Sequence, residues 1–419
     1  MMKIGSLWSI VFLFLRVPPA MGQETIAIDH FAGLGARAMG MGGATIAVAE
    51  DFTATYGNPA GLAQIRRIEL YGGLSHFKDE AQVRFYGTPR TTRLSKTRLS
   101  AFGLVFPVPT YRGSLVFAAG FNRVKAFDTV FGIQGFSAQE QVHKTGKATD
   151  EGGLGVYSLA GAVDVSPSIS LGGSINIWDG DDSFSQTLTR IDTTGAHDWT
   201  RLEEIYSFDD EYDGINFKLA AMVKTPLGLR FGMTLETPVT YSIEEDWEEK
   251  RDGDRASGFV EYEVSMPYQF GLGVSWIFSN VLTVAADAVY SDWTQVRYNK
   301  SPLGDVTKEE LNEEIQNKYK DTLRFHLGGE FLLPVVPITL RTGFYRDPIP
   351  FLGPREPGDP KIEITDERDF LTLGFGALID RVLALDFAWV RGLSEQKEGR
   401  IIAEKHRENR IFVSAAYRF

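Results

Sequence analysis

Cysteine is absent from the 419-residue chain. That excludes disulfides, thiolate metal sites, a cysteine nucleophile and a lipid anchor on an N-terminal cysteine. Histidine is scarce: His30, His76, His143, His197, His326 and His406 are the six present, no two are spaced as metal ligands, and no HExxH occurs. GxSxG is missing, and Gly40-Met41-Gly42-Gly43 lacks both the lysine of a phosphate loop and a preceding strand. Without a nucleophile–base or metal constellation the chain does not read as an enzyme, and neither cofactor nor metal is expected. Positive charge is in deficit, with 43 Lys and Arg against 55 Asp and Glu and a net charge of -12. No basic stretch stands ready for phosphates, so nucleic acid is excluded as a partner. Long apolar runs are also wanting. After residue 22 none reaches the roughly 18 residues of a spanning helix. Mean hydropathy of -0.13 would by itself class the chain as soluble.

What is present points elsewhere. The first residues read as a secretory signal, 1–22: Lys3 is a thin basic region, Ile4 to Leu15 the apolar core, and Ala20-Met21-Gly22 a small-x-small cleavage site. Arg16 and Pro18-Pro19 end the apolar run too early for a membrane anchor. Next comes Gly33 to Ala63, rich in glycine and alanine and ending in Asn58-Pro59-Ala60-Gly61. It has no period of two, and its glycines weaken any helix. Such a segment is expected to fold against walls supplied by the rest of the chain.

From about residue 66 the chain alternates apolar with small or polar residues, the mark of a strand with two unlike faces. Ile169, Leu171, Ile175 and Ile177 oppose Ser170, Ser174 and Asn176, and Leu323, Phe325 and Leu327 oppose Arg324 and His326. About fourteen such strands are expected, near 66–77, 98–106, 114–125, 153–165, 168–178, 212–224, 228–238, 266–278, 281–291, 321–332, 338–346, 369–379, 382–391 and 411–419. Their connections alternate. Short ones such as Ser166-Pro167 and Ser279-Asn280 take turns with long charged ones such as 126–152, 179–211, 239–265 and 292–320. An outer-membrane barrel alternates in this way, with short periplasmic turns and long external loops. Backbone groups in lipid must be paired, so the sheet has to close. The expected fold is therefore all-β: a transmembrane antiparallel barrel over 65–419. The terminal Phe419 resembles the signal that barrel-assembly machinery recognises. Tyr71, Phe77, Trp276, Tyr290, Trp293, Tyr345 and Trp389 are expected in the interfacial girdles.

The long connections carry further signals. Thr307-Lys308-Glu309-Glu310 is a capping box opening a helix to about Lys320. Tyr241 to Val264 reads as a hairpin turning at Asp252-Gly253. The runs Asp179-Gly180-Asp181-Asp182 and Asp209-Asp210-Glu211 lack EF-hand spacing. They read as a solvated acidic surface, bridged to lipopolysaccharide by divalent ions. Phe127, Val130, Phe131 and Phe136 would make an external loop apolar enough to capture a hydrophobic ligand. By alternation Lys218, Arg324 and Arg341 face the lumen, where they would either meet a ligand carboxylate or pair with acids such as Glu330, Asp287 and Asp386.

The run Gly35-Ala36-Arg37-Ala38-Met39-Gly40-Met41-Gly42-Gly43-Ala44, followed by Ala49-Glu50-Asp51 and Asn58-Pro59-Ala60-Gly61-Leu62, resembles the N-terminal signature of the FadL/OmpP1/TodX family. Tyr268–Val274, Ala286–Trp293 and Thr339–Tyr345 look similar as well. The resemblance implies a fourteen-stranded barrel that takes up long-chain fatty acids and other hydrophobic compounds passively. It also implies that 23–64 fold as an N-terminal plug, a lumenal hatch with Asn58, Pro59, Ala60 and Gly61 at its heart. Ligand would leave through a lateral opening near the third strand, where Gly120 is the residue expected to relax the pairing. Expected partners are a hydrophobic ligand, outer-membrane lipid and lipopolysaccharide, and the assembly machinery, with the protein acting as a monomer. The same N-terminal signature occurs in PorV-like barrels of type IX secretion, so a protein shuttle is the alternative function.

Overall fold

The computed structural model describes residues 31–302, 306–351, 362–364, 367–398 and 402–419. The expected signal segment and residues 23–30 lie outside the described residues. The strands in chain order begin with β1 (Glu69–Phe85), β2 (Thr88–Val108), β3 (Leu115–Arg123), β4 (Thr129–Ser137), β5 (Val142–Ser166), β6 (Ile169–Asp192) and β7 (Arg201–Lys224). They continue with β8 (Leu229–Glu236), β9 (Val239–Arg251), β10 (Asp254–Met266), β11 (Gln269–Phe278), β12 (Leu282–Ser291) and β13 (Arg297–Tyr298). The last are β14 (Thr322–Leu332), β15 (Ile338–Pro348), β16 (Ile362–Ile364), β17 (Glu367–Ile379), β18 (Leu383–Glu398) and β19 (Ile402–Arg418).

Several of these are halves of one span. Thr237-Pro238 separates β8 from β9, and Pro267-Tyr268 separates β10 from β11. Proline has no N–H to give the ladder, so pairing breaks at both places. β3 with β4 and β12 with β13 are likewise single spans, and β16 is a short strand in an external connection. Fourteen antiparallel spans result, and the barrel closes where β19 pairs β1 from Glu69↔Arg418 to Phe85↔Ile402.

The strand faces are inverted relative to a soluble protein. In β6, Ile169, Leu171, Ile175 and Ile177 are exposed while Ser170, Ser174, Asn176 and Trp178 are buried. Leu159, Leu219 and Leu371 are exposed by 60%, 60% and 63%, a cost in water that only a hydrocarbon surround removes. No helix among the described residues is long and apolar enough to cross a membrane; the strands do so.

The external part departs from the sequence expectation. A spanning strand needs about 9–11 residues, yet β5, β6 and β7 have 25, 24 and 24. Residues 126–152, expected as a loop, hold β4 and the first part of β5. The ladders continue beyond the lipid with charged residues on the outer face, so the apolar signal stops before the strand does. The acidic runs follow the same alternation. Asp179, Asp181, Asp209 and Glu211 point outward, whereas Asp182 and Asp210 are buried, so one of the three acids in each run is withdrawn from the solvated surface. Phe127, Val130 and Phe131 are also buried inside rather than displayed on a loop. Tyr71, Trp293 and Tyr345 face the interior and are not girdle residues.

Two local expectations hold. Asp252-Gly253 turns β9 into β10 with both residues at positive φ. The capping box of the helix Lys308–Lys318 is complete, and the helix ends two residues before the expected Lys320.

Candidate functional site

The lumen is filled by the chain between Phe31 and Ile65. It contains the helix α1 (Ala36–Gly40), the single turn α2 (Ala54–Gly57) and a 3-10 turn, Pro59–Gln64. Leu34, Met39, Met41, Ile46, Phe52, Ala60 and Leu62 are buried. Its exposed backbone groups are satisfied by the wall, as buried polar groups require. The Asp287 carboxylate accepts from the N–H groups of Thr45 and Ile46 at 2.6 and 2.8 Å. Thr372 Oγ1 accepts from Gly42 N at 3.1 Å and donates to Gly40 O at 3.2 Å. Glu69 accepts from Phe52 N at 3.0 Å, and Lys218 Nζ donates to Tyr56 O at 2.8 Å.

Wall glycines make this approach possible. A Cβ on Gly343 would lie 2.3 Å from Gly42 N, and one on Gly172 would lie 2.4 Å from Ala60 N. Gly232, Gly271 and Gly273 admit Ile46 in the same way. All lie on inward phases of their strands. Sequence reasoning passed over them, although glycine on a lumen-facing phase was a visible signal.

Asn58 is fully buried and ties the segment together. Its Oδ1 accepts from Ala60 N at 3.0 Å, capping the turn, and its Nδ2 donates to Ile46 O. Pro59 occupies the first position of that turn, where a missing N–H costs nothing. Gly61 packs against Ala49 O, where any side chain would clash.

The three lumen cations all carry anionic partners. Lys218 pairs Glu236 at 2.7 Å and stands over the Tyr56 ring at 3.7 Å. Arg324 pairs Asp347. Arg341 bridges Glu330 and Asp386 at 2.7 Å each, and Arg37 of α1 joins the same Glu330 at 3.2 Å. Asp287 was expected as a cation partner; it serves the plug backbone instead.

Above the plug, toward the long connections, lies an aromatic interior. Tyr56, Trp178, Tyr212, Tyr241, Tyr262, Trp293, Tyr298, Tyr319 and Phe351 belong to one buried cluster with Phe127. Trp178 meets Tyr56 and Tyr241 edge-on at 5.9 and 5.8 Å. Where this cluster meets the plug, a cavity of about 70 Å³ remains among Phe31, Tyr56, Lys125, Lys218, Arg324 and His326. A benzene-sized ligand takes a cavity of ~150 Å³, so this conformation is closed to one. Below the plug, a cavity of about 430 Å³ opens among Arg37, Glu50, Arg66, Glu330, Arg341 and Arg418.

The third span is interrupted at Val124–Asp128. Ala32 N donates to Val124 O at 2.9 Å, and Phe31 forms an isolated bridge with Lys125. Gly120 lies short of this break, fully laddered to Gly103 and Ser158. Past the break, β4 pairs β5 but not β2, and residues 88–100 of β2 are laddered to β1 alone. β4 slides under the β1–β2 hairpin, so the sheet overlaps itself. Side chains hold the overlap. Arg90 donates to Ile133 O and Gly146 O at 2.7 and 2.9 Å, Arg98 forks onto Asp128, and Lys96 pairs Glu151. Phe85, Phe131 and Ile133 fill the space between. At the other end of the chain, Phe419 N donates to Ile68 O at 2.9 Å and its ring is exposed.

A closed barrel of fourteen spans with an apolar exterior and a filled lumen defines an outer-membrane channel. The chain belongs to the family described as Outer membrane protein transport protein (OMPP1/FadL/TodX), whose sequence profile matches residues 18–410. A Pseudomonas aeruginosa FadL homologue has a similar fold, with TM-score 0.64 and 15% identity over 93% of this chain and 98% of that one. The Pseudomonas putida toluene transporter TodX has TM-score 0.61 and 15% identity over 94% of this chain and 100% of that one. The Ralstonia pickettii toluene transporter TbuX has TM-score 0.56 and 15% identity over 93% and 99%. No curated protein matches the chain by sequence.

Proposed function

We propose that the protein is a passive channel for hydrophobic compounds, gated by displacement of the plug and released sideways through the β2–β4 overlap. The observation that carries this reading is the aromatic interior that ends on a hydrogen-bonded plug of small residues. Apolar surface buried there contributes roughly 25 cal/mol per Å², enough to concentrate a dilute ligand without energy input. The plug leaves too little room for a ligand, so passage requires it to move. Asn58, Pro59, Ala60 and Gly61 hold its folded form in this reading. The overlap supplies the exit, because its two sheet edges are joined by side chains and can part without breaking a backbone ladder.

The lumen cations support an uncharged ligand over a fatty carboxylate. Lys218, Arg324 and Arg341 are already matched by Glu236, Asp347, Glu330 and Asp386. A second carboxylate would have to displace a buried one. The toluene transporters of similar fold favour this choice. The test is uptake into liposomes of labelled toluene and labelled palmitate, each against empty liposomes. Toluene uptake above background with palmitate at background is expected. No uptake of either, or co-purification of a secreted protein on the external strands, would replace this reading with the protein-shuttle function.

A further inference from the structure

Chain-wide, the protein is acidic, yet one outer quadrant is basic at a defined height. On each of the neighbouring spans β18, β19, β1 and β2 the outward apolar residues give way to cations at the external end. On β1 the outward series runs Leu70, Leu74, His76 and then exposed Lys78. On β19 it runs Val413, Ile411, Asn409, Arg407 and Lys405; on β18, Leu385, Phe387, Trp389 and Arg391, with exposed Leu393 and then Glu395 beyond; on β2, Leu99, Thr97, Ser95 and Arg93. The registers place Arg391 beside Asn409, Asn409 beside Lys78, and Arg407 beside Glu80, with Arg93 on its other side. Strands stand about 4.8 Å apart, so Arg391 and Lys78 are roughly 10 Å apart across β19.

These cations are available. Arg93 and Arg407 side chains are 66% and 42% exposed. Both lean on Glu80, and exposed pairs of that kind are worth little and exchange readily. Arg391 donates to the neutral Asn409 at 2.7 Å. Among the described residues Lys78 and Arg391 have no carboxylate partner. The opposite quadrant is the reverse. Directly beyond Ile177 and Ile215, β6 and β7 carry outward Asp179 and Asp213, and Glu244 and Glu263 follow on β9 and β10.

We infer that the outward face of β18–β19–β1–β2, just above the apolar band, binds the phosphorylated head of lipopolysaccharide. The external end of an outer-membrane barrel faces the leaflet that carries this glycolipid. A lipid A head joins acyl chains to phosphates on a short sugar backbone. Here its chains would lie on Leu74, Val413 and Leu99, and its phosphates would meet Lys78, Arg391, Arg407 and Arg93. Arginine forks match phosphate oxygens, and basic residues at a lipid surface recognise anionic heads additively. The acidic quadrant offers no such direct contact.

The full-length protein in nanodiscs answers this with purified lipid A as probe. Lys78→Gln/Arg391→Gln/Arg407→Gln is expected to bind diphosphorylated lipid A about 100-fold more weakly than the parent. Dephosphorylated lipid A should bind the parent as weakly as it binds the variant. Lys78→Arg/Arg391→Lys should retain binding, and so should the opposite-face variant Asp179→Asn/Glu263→Gln. Heat-modifiable migration on gels confirms a folded barrel for each. Equal binding by parent and triple variant would overturn the assignment. So would equal loss in the opposite-face variant, or full competition by inorganic phosphate, which would mark a site for the free ion rather than the lipid.

Discussion

Where the barrel closes on itself, β19 and β1 pair without interruption from Glu69↔Arg418 to Phe85↔Ile402. Where β2 meets the far half of the third span, residues 88–100 have no ladder partner on that side, and Arg90, Lys96 and Arg98 bridge the gap instead. Both are seams of one wall. Parting the first would strip a row of backbone hydrogen bonds in lipid, each costing several kcal/mol. Parting the second breaks side-chain contacts and no backbone ladder. In the proposed mechanism the closure seam therefore holds the barrel, and the overlap is where it opens.

The sharpest way to break this comparison is a cross-link. A Cβ on Gly132 would meet Thr92 Cγ2 at 2.6 Å, and the parent has no cysteine to compete. Oxidised Thr92→Cys/Gly132→Cys is expected to lose at least roughly tenfold in liposome uptake, one decade of rate being about 1.4 kcal/mol, and to recover it on reduction. His76→Cys/Ile411→Cys across the closure seam should transport like the parent; equal inhibition by both would remove the distinction.

Next in size is Gly343→Val, which drives a side chain into Gly42 of the plug. Overpacking of this kind costs about 1–3 kcal/mol or more, and here the plug can yield where the wall cannot. A steady ionic leak in planar bilayers is the expected result; a closed channel would show that the plug adapts in place.

Asp287→Ala should give a smaller, intermittent leak. It leaves the N–H groups of Thr45 and Ile46 without their acceptor, at about 1–3 kcal/mol per orphaned group. Asp287→Asn, which keeps one acceptor oxygen, should fall between the two in open probability.

The smallest effect concerns the external parts of the neighbouring strands. Asp182 lies directly opposite Asp210, and Asp210 opposite Glu245, with Asp150 diagonal to Asp182. All four are buried between the aromatic cluster below and Phe131, Phe184 and Phe208 above. Burial, reinforced for the aspartates by neighbouring carboxylates, pushes Asp150 and Glu245 up to about 7 and Asp210 up to about 9. Unfolded carboxyls titrate near 4, so the folded form holds extra protons between about pH 4 and 9. The stability this provides is complete below pH 4 and is lost as pH rises through 7 to 9. Limited proteolysis should cut these strands faster at pH 9 than at pH 6. Asp182→Asn/Asp210→Asn should flatten that profile, while the closure seam stays resistant throughout.

From the sequence alone came the strand number, the lipid-facing phase of the clearly alternating strands and a segment of neither period that needs walls from the rest of the chain. Those follow from local rules: a period of two, an apolar outer face and a glycine-rich run with neither period. It also fixed the capping box at Thr307 and the turn at Asp252-Gly253, which depend on a few adjacent residues. Strand ends were not legible, because outside the lipid the outward face turns polar while the ladder continues. Only the tertiary structure decided the rest. Gly120 is a regular ladder residue, and the break lies instead at Val124–Asp128, where Phe31 and Ala32, far away in sequence, meet Val124 and Lys125. Lys218, Arg324 and Arg341 found acids on neighbouring strands, and alternation names the face but not the partner. Lys78 and Arg391 come within one strand of each other across 300 residues of chain through inter-strand register, so a chain without a basic stretch still presents a basic surface.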